Sequence, residues 1–252
     1  MAHLAVDIGN TNIVFGVYNE AWIKVLRLET NGVTQQSILT FLKSELKKYD
    51  WEPSLFTEVT VSSVVPQTTD AVIQALNSLF GQNSFFIKPA HYTKLDLEII
   101  NPEEIGTDLV ANAVASFNHF QQECIVVDFG TALTFTIVSN NKISGVNILP
   151  GIKTSLQALV GNASQLSKIP LELTESVIGT DTTTAIQAGI LWGYVGLVEK
   201  MLERIELETG TKFKRVATGG LSLVLSPLRK EFDLIEQHLT LNGIRLIREA
   251  NM

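Results

Sequence analysis

The sequence predicts an α/β protein of two related halves, each a mixed sheet flanked by helices, with a cleft between them. Three observations carry this. Residues 3–19, HLAVDIGNTNIVFGVYN, lie without a gap over 124–140, CIVVDFGTALTFTIVSN, with five identities in seventeen positions at an offset of 121 residues. Each copy reads as an apolar β-rich run, an Asp-x-Gly turn and a second β-rich run, the pattern of a strand–turn–strand hairpin. Helical periodicity follows each hairpin, and no low-complexity linker parts the halves, which are expected to be 1–116 and 117–252.

The elements follow in order. In the first half, 34–49 (TQQSILTFLKSELKKY) sets Ile38, Leu39, Phe41, Leu42 and Leu46 at helical spacing. TEVTVSSVVP reads as a buried strand ended by Pro66, TTDAVIQALNSLF as a helix opening on Thr or Asp, and SFFIKP as a short strand. The segment 107–120 predicts a helix with Thr107 or Asp108 as N-cap. In the second half, TTTAIQAGILWGYVGLVEKMLERIELETG predicts a long helix stopped by Gly210. KRVATGG predicts a strand running into a glycine turn, and the tail from Asp233 a helix.

Composition narrows the function. Of 252 residues 45% are hydrophobic and 18% charged, which excludes disorder as the main state. Nineteen Lys and Arg against 26 Asp and Glu leave a net charge of −7, which argues against nucleic acid or a membrane surface as partner. No run approaches the roughly 18 apolar residues of a membrane span, and the N-terminus lacks the charged start and apolar run of a signal peptide. The single cysteine, Cys124, forms no internal disulfide and reads as core; the expected location is the cytoplasm. The four histidines show no ligand spacing, and no GxxxxGK[ST] is present. Phosphate binding would therefore need local dipoles, a few polar groups and a metal.

Asp7-Ile8-Gly9-Asn10-Thr11-Asn12 supplies such groups. An acid at the end of a buried strand can hold a metal directly or through water, Gly9 lets backbone approach an anion, and Asn10, Thr11 and Asn12 add donors. One copy alone would read as an ordinary turn; the second copy, Asp128-Phe129-Gly130-Thr131, weighs against that. Glu104-Ile105-Gly106-Thr107-Asp108-Leu109 places an acid in a helix's first turn, either a helix-end residue or a general base. GVNILPG (145–151) and Thr218-Gly219-Gly220 fit polar roles near the cleft.

The ordered set DIGNTN, GTD, VVDFGTALT, SGVNILPG, IGTDTTTAIQAG and ATGG resembles the type III pantothenate kinases, of the superfamily of acetate and sugar kinases, heat-shock chaperones and actin. The resemblance runs from about residue 4 to residue 246 and implies two actin/ribonuclease-H-like halves. It implies ATP-dependent phosphorylation of pantothenate to 4′-phosphopantothenate by a homodimer. On this pattern the run Asp7, Ile8, Gly9, Asn10, Thr11, Asn12, Ile13 and Val14 grips ATP with Mg2+, Asp7 holding the metal through water. Thr131, Gly219 and Gly220 contact the nucleotide, and Asp128 binds a monovalent cation, K+ or NH4+. Asp108 activates the pantothenate hydroxyl, with Gly106, Thr107, Leu109, Ile99 and Thr182 as substrate contacts.

Four positions depart from the pattern. Gly106-Thr107-Asp108-Leu109 replaces Gly-Ala-Asp-Arg, Gly145-Val146 replaces a glycine pair, Ile99 replaces a tyrosine, and Thr180 replaces a lysine. The phosphate-binding set is intact while the acceptor pocket is altered. Two alternatives therefore stand beside pantothenate: a kinase of the same fold for another small hydroxyl compound, or a weakly active nucleotide-binding regulator.

Overall fold

Alternating apolar residues build the first hairpin. In β1 (Ala2–Ile8) Leu4, Val6 and Ile8 are buried, and β2 (Asn12–Asn19) returns antiparallel with Ile13, Phe15 and Val17 buried. β3 (Ala21–Glu29) extends the meander, while β4 (Phe56–Ser63) lies parallel to β1 on its other side and β5 (Phe85–Phe86) completes the sheet, in the order β3-β2-β1-β4-β5. α1 (Gln35–Lys48) opens on a capping box between Thr34 and Ser37, and buries Ile38, Leu42 and Leu46 in the core of this sheet. α2 (Pro66–Phe80) adds Val72, Ala75 and Leu76 and stops at Gly81 in the left-handed region.

The computed structural model describes residues 1–161 and 169–252. The chain divides into two units: Met1–Ala115 with Leu239–Met252, and Ser116–His238. The division falls within α3 (Thr107–Phe120), which follows the short strand β6 (Glu98–Ile99). In the second unit β7 (Cys124–Phe129), β8 (Ala132–Ser139) and β9 (Lys142–Pro150) form an antiparallel meander. β10 (Lys214–Thr218) lies parallel to β7, and β11 (Leu234–Ile235) parallel to β10. α4 (Ile152–Val160) follows β9, and the long α5 (Thr182–Thr209) runs to Gly210 with φ 67°, burying Leu191, Val195, Val198 and Leu202 against this sheet. Among the described residues no helix is long and apolar enough to cross a membrane.

Three expectations need correction. α2 begins at Pro66, two residues before the first threonine of the expected start, because proline's fixed φ and missing N–H suit a first helical position. The tail from Asp233 opens with β11 before α6 (Leu239–Ala250) starts, and α6 groups with the first unit, not with the second half to which its place in the chain assigned it. Its side chains Leu241, Ile244 and Ile247 are buried, and it packs on β1 and β4.

The third concerns the repeat. Asp7 pairs with Val14, but Asp128 pairs with Thr134, so the second turn is one residue shorter and the gapless match fails beyond the turn. With that shift Phe15 and Phe135 become equivalent. Both are wholly buried, and each lies opposite the valine that precedes its Asp, Val6 or Val127.

α6 approaches α3 so closely that a Cβ on Gly243 would collide with the backbone of Ala111. Gly243→Ala should therefore lower unfolding free energy by about 1–3 kcal/mol, the usual range for an overpacked core. Denaturant unfolding of the two proteins measures this, and equal midpoints would contradict it.

Candidate active site

Parallel pairing gives β1 and β4 a common C-terminal edge. Their register sets Asp7 beside Ser62 and Ile8 beside Ser63. The start of α3 is fastened to the same edge: the Thr107 hydroxyl donates to the Ser63 carbonyl (3.1 Å) and lies 2.7 Å from Ser62 Oγ. Since Thr107 has one hydroxyl proton, Ser62 is the donor of the second bond. The Asp7 turn and the first turn of α3, with Asp108, are thus held along one strand edge, where helix N–H groups also favour anions. Ser62 and Ser63 escape a motif search because they read as the end of a buried strand.

The Asp7–Asn12 turn closes with Gly9 N–H donating to the Asn12 carbonyl (3.0 Å). Thr30 braces it, its hydroxyl donating to the Gly9 carbonyl (2.6 Å) and its N–H to the Thr11 carbonyl (3.0 Å). Asn10 and Thr11 are exposed and Asn12 is half-buried. Ile8 and Ile13 form a wholly buried cross-strand pair, so a ligand meets only their backbone; Val14 stands opposite Asp7.

Asp108 lies in the first turn of α3, but neither it nor Thr107 is the N-cap expected from sequence. The helix starts at Thr107, the Gly106 carbonyl receives the N–H groups of Leu109 and Val110, and the Thr107 hydroxyl is engaged at β4. Burial pushes the Asp108 carboxyl above the usual carboxylate range, and the Leu109 N–H, 2.8 Å from Oδ1, works the other way. A Cβ on Gly106 would collide with Asp108 Oδ1, so this glycine gives the carboxylate its space. Leu109 is 9% exposed and offers the site no charge. Ile99, on β6, is half-buried.

The second unit gathers its own set. Asp128 ends β7, in register with Thr134 of β8 and Thr218 of β10. Gly219 follows at φ 91°, where a Cβ would stand 2.5 Å from Asp128 Oδ1 and 2.7 Å from the Phe129 backbone, so only glycine fits. The exposed Thr131 accepts at its carbonyl from Gly151 N–H (3.0 Å) and the Thr154 hydroxyl (2.7 Å), bringing the start of α4 onto this turn. Gly220 is exposed. Beyond the ends of β10 and β11, a pocket of about 550 Å³ is lined by Leu223, Arg229, Ile235, Glu236, Gln237 and His238.

Thr182 is carried by a different element, as the exposed first residue of α5. Asp181 caps this helix through the Thr184 N–H (2.9 Å). Cys124 is wholly buried and its thiol is pushed up to about 12 by that burial, so it stays protonated and is core. Among the described residues no three His, Cys, Asp or Glu side chains gather as a metal site. A cation at Asp7 or Asp128 would complete its shell with backbone, hydroxyl, water or phosphate oxygens, the hard donors that magnesium and potassium accept.

The raised Asp108 pKa has a stability consequence. The folded state holds this proton more tightly than the unfolded state, so Asp108 costs stability above its folded pKa and the cost fades as pH falls toward the ordinary carboxylate range. Asp108→Asn should melt higher than the parent at pH 8, and the gap should close in acid. Thermal melts at both pH values check this; a variant that melts lower at pH 8 would contradict it.

The family model for type III pantothenate kinases matches residues 3–204. A relative from Anaeromyxobacter dehalogenans (strain 2CP-C) named type III pantothenate kinase is 37% identical, covering 98% of this chain and 99% of its own. One from Geobacter sulfurreducens with the same name is 34% identical, covering 98% of each. Among solved structures, component A of the Acidaminococcus fermentans (R)-2-hydroxyglutaryl-CoA dehydratase covers the whole of both chains at TM-score 0.57 and 13% identity. A ROK family glucokinase from Streptomyces griseus, solved with glucose and AMPPNP, covers 99% of this chain and 100% of its own at TM-score 0.51 and 13% identity. At such identities the structures share the fold alone. The family match and the relatives together show that this chain belongs to the type III pantothenate kinases.

Proposed function

We propose that this chain transfers the γ-phosphoryl group of ATP to the primary hydroxyl of pantothenate, giving 4′-phosphopantothenate and ADP, the first step toward coenzyme A. Within that family membership, the observation that carries the reading is the position of Asp108. It is a carboxylate with raised proton affinity, in a helix's first turn, tied through Thr107 and Ser62 to the strand edge that bears the Asp7 turn. The roles follow from the chemistry of each group. Asp108 takes the proton of the acceptor hydroxyl as its oxygen bonds to the γ-phosphorus and the bond to ADP breaks. Gly9 to Asn12 offer backbone and side-chain donors to phosphate oxygens, and Asp7 would hold Mg2+. Bound magnesium would neutralise charge on the phosphate oxygens.

In the second unit Asp128 would hold K+ or NH4+, Thr131 meets a phosphate, Gly219 and Gly220 contact the nucleoside end of ATP, and the pocket lined by Leu223, Arg229 and Ile235 offers that end room. Gly106, Thr107, Leu109, Ile99 and Thr182 line the acceptor's path. A homodimer is supported by exposed apolar residues in the segment before α5 and by exposed glycines along that helix. Val177 and Ile178 are 63% and 74% exposed, and a Cβ on Gly189, Gly193 or Gly196 of α5 would meet nothing within 4 Å. The reading places the enzyme in the cytoplasm. A second acceptor class is favoured by one observation: the buried Leu109 supplies no cation beside Asp108, so a neutral alcohol would lose nothing there.

The first test is phosphate transfer from ATP to pantothenate by the purified protein with magnesium and potassium, run beside a panel of other small alcohols. Turnover with pantothenate is expected, and Asp108→Asn should cut it by about a hundred- to ten-thousandfold while ATP binding persists. Loss confined to a few-fold would return Asp108 to a structural role. Replacing sodium by potassium or ammonium should raise the rate, because a cation at Asp128 relieves repulsion between this acid and the phosphates. Equal rates in all three salts would remove the cation from the mechanism.

A further inference from the structure

Tyr92 lies in the 3-10 turn Pro89–Lys94, between β5 and β6. The turn is pinned from outside: Asn251, just past α6, donates through Nδ2 to the His91 carbonyl (3.1 Å). α6 also packs on α3, where the Thr240 hydroxyl lies 2.8 Å from Asn112 Oδ1 and Gly243 meets Ala111. One helix therefore holds both the Tyr92 turn and the helix that bears Asp108. The ring is 5% exposed, and its hydroxyl is buried with no hydrogen-bond partner among the described residues.

That combination is unusual, since buried tyrosines normally find a partner for the hydroxyl. Phenylalanine would fill the same space without burying an unmet polar group. We propose that the Tyr92 hydroxyl belongs to the acceptor pocket and donates a hydrogen bond to a polar oxygen of the bound acceptor beside Asp108. The inference rests on the phosphotransfer reading above and names a specificity residue for it. Electrostatics agree with the role. Burial first, then the negative charges of Asp108 and Glu103, push the phenol up to about 12, so it remains protonated and a donor throughout the working range.

The test is Tyr92→Phe in the full chain, read by steady-state kinetics in both substrates and by thermal melting. The expected result is a roughly tenfold rise in pantothenate KM, with ATP KM and kcat within a few-fold of the parent and a melting temperature equal or higher. A tyrosine that only fills the core predicts unchanged kinetics, and an unchanged pantothenate KM would overturn the proposal. A lower melting temperature with both KM values raised would overturn it too, by showing that the hydroxyl has a structural partner. Absence of pantothenate turnover in the parent itself would instead overturn the phosphotransfer reading, and this inference with it.

Discussion

The parallel pairing of β1 with β4 is the constraint on which the first unit depends. Parallel neighbours need a crossover, supplied here by β2, β3 and α1, and the crossover brings both C-terminal ends to the same edge. Asp7 then stands next to Ser62, and Ser62 is the residue that receives the start of α3. A slip of one residue would turn Asp7 into the core and carry Ser62 away from Thr107. The pairing is held by wholly buried residues on both strands, Val6 and Ile8 against Val59 and Val61, so register is specified by packing and not by the site.

The second unit repeats the device with other chemistry. β7 pairs in parallel with β10, which places Asp128 beside Thr218 and brings Gly219 against the carboxylate. The shorter hairpin turn moves Thr134 opposite Asp128, where the first unit has Val14 opposite Asp7. One acid is therefore flanked by threonines and a glycine backbone, and the other by valine and serine. Related turns thus become different environments through one residue of loop length.

Charge burial separates scaffold from site. Glu206 is nearly buried on α5, and its carboxylate is fully engaged by Arg215 (2.9 and 3.1 Å) and Lys212 (2.8 Å), with Arg215 also bonded to Glu231 (2.8 Å). Such a set satisfies what it buries, as structural ion pairs must. Asp108 is different: the backbone N–H groups of Leu109 and of Asp108 itself offset its burial only in part, and its proton affinity rises. Tyr92 likewise keeps a dry hydroxyl. Both groups lower stability relative to an isosteric neutral or apolar residue, the trade expected where a protein keeps groups ready for a ligand.

Much of this was legible in the chain. Periodicity marked α1, α3 and α5, the Asp-x-Gly repeat marked both hairpins, and glycine at position 210 marked the stop of α5, because these depend on local spacing and backbone preference. The start of α2, the short strand before α6 and the one-residue change between the hairpins were not, since each depends on which partner strand or helix the segment meets. Ser62, Thr30 and Tyr92 look like strand, loop and core residues in one dimension. Only tertiary contact makes Ser62 the anchor of α3, Thr30 the brace of the first turn and Tyr92 a buried hydroxyl with no hydrogen-bond partner among the described residues. The sequence by itself determined the element types, the family motifs and the acids that end the strands. The tertiary structure decided which acid is desolvated and which hydroxyls stand beside it, because burial and register arise from long-range packing.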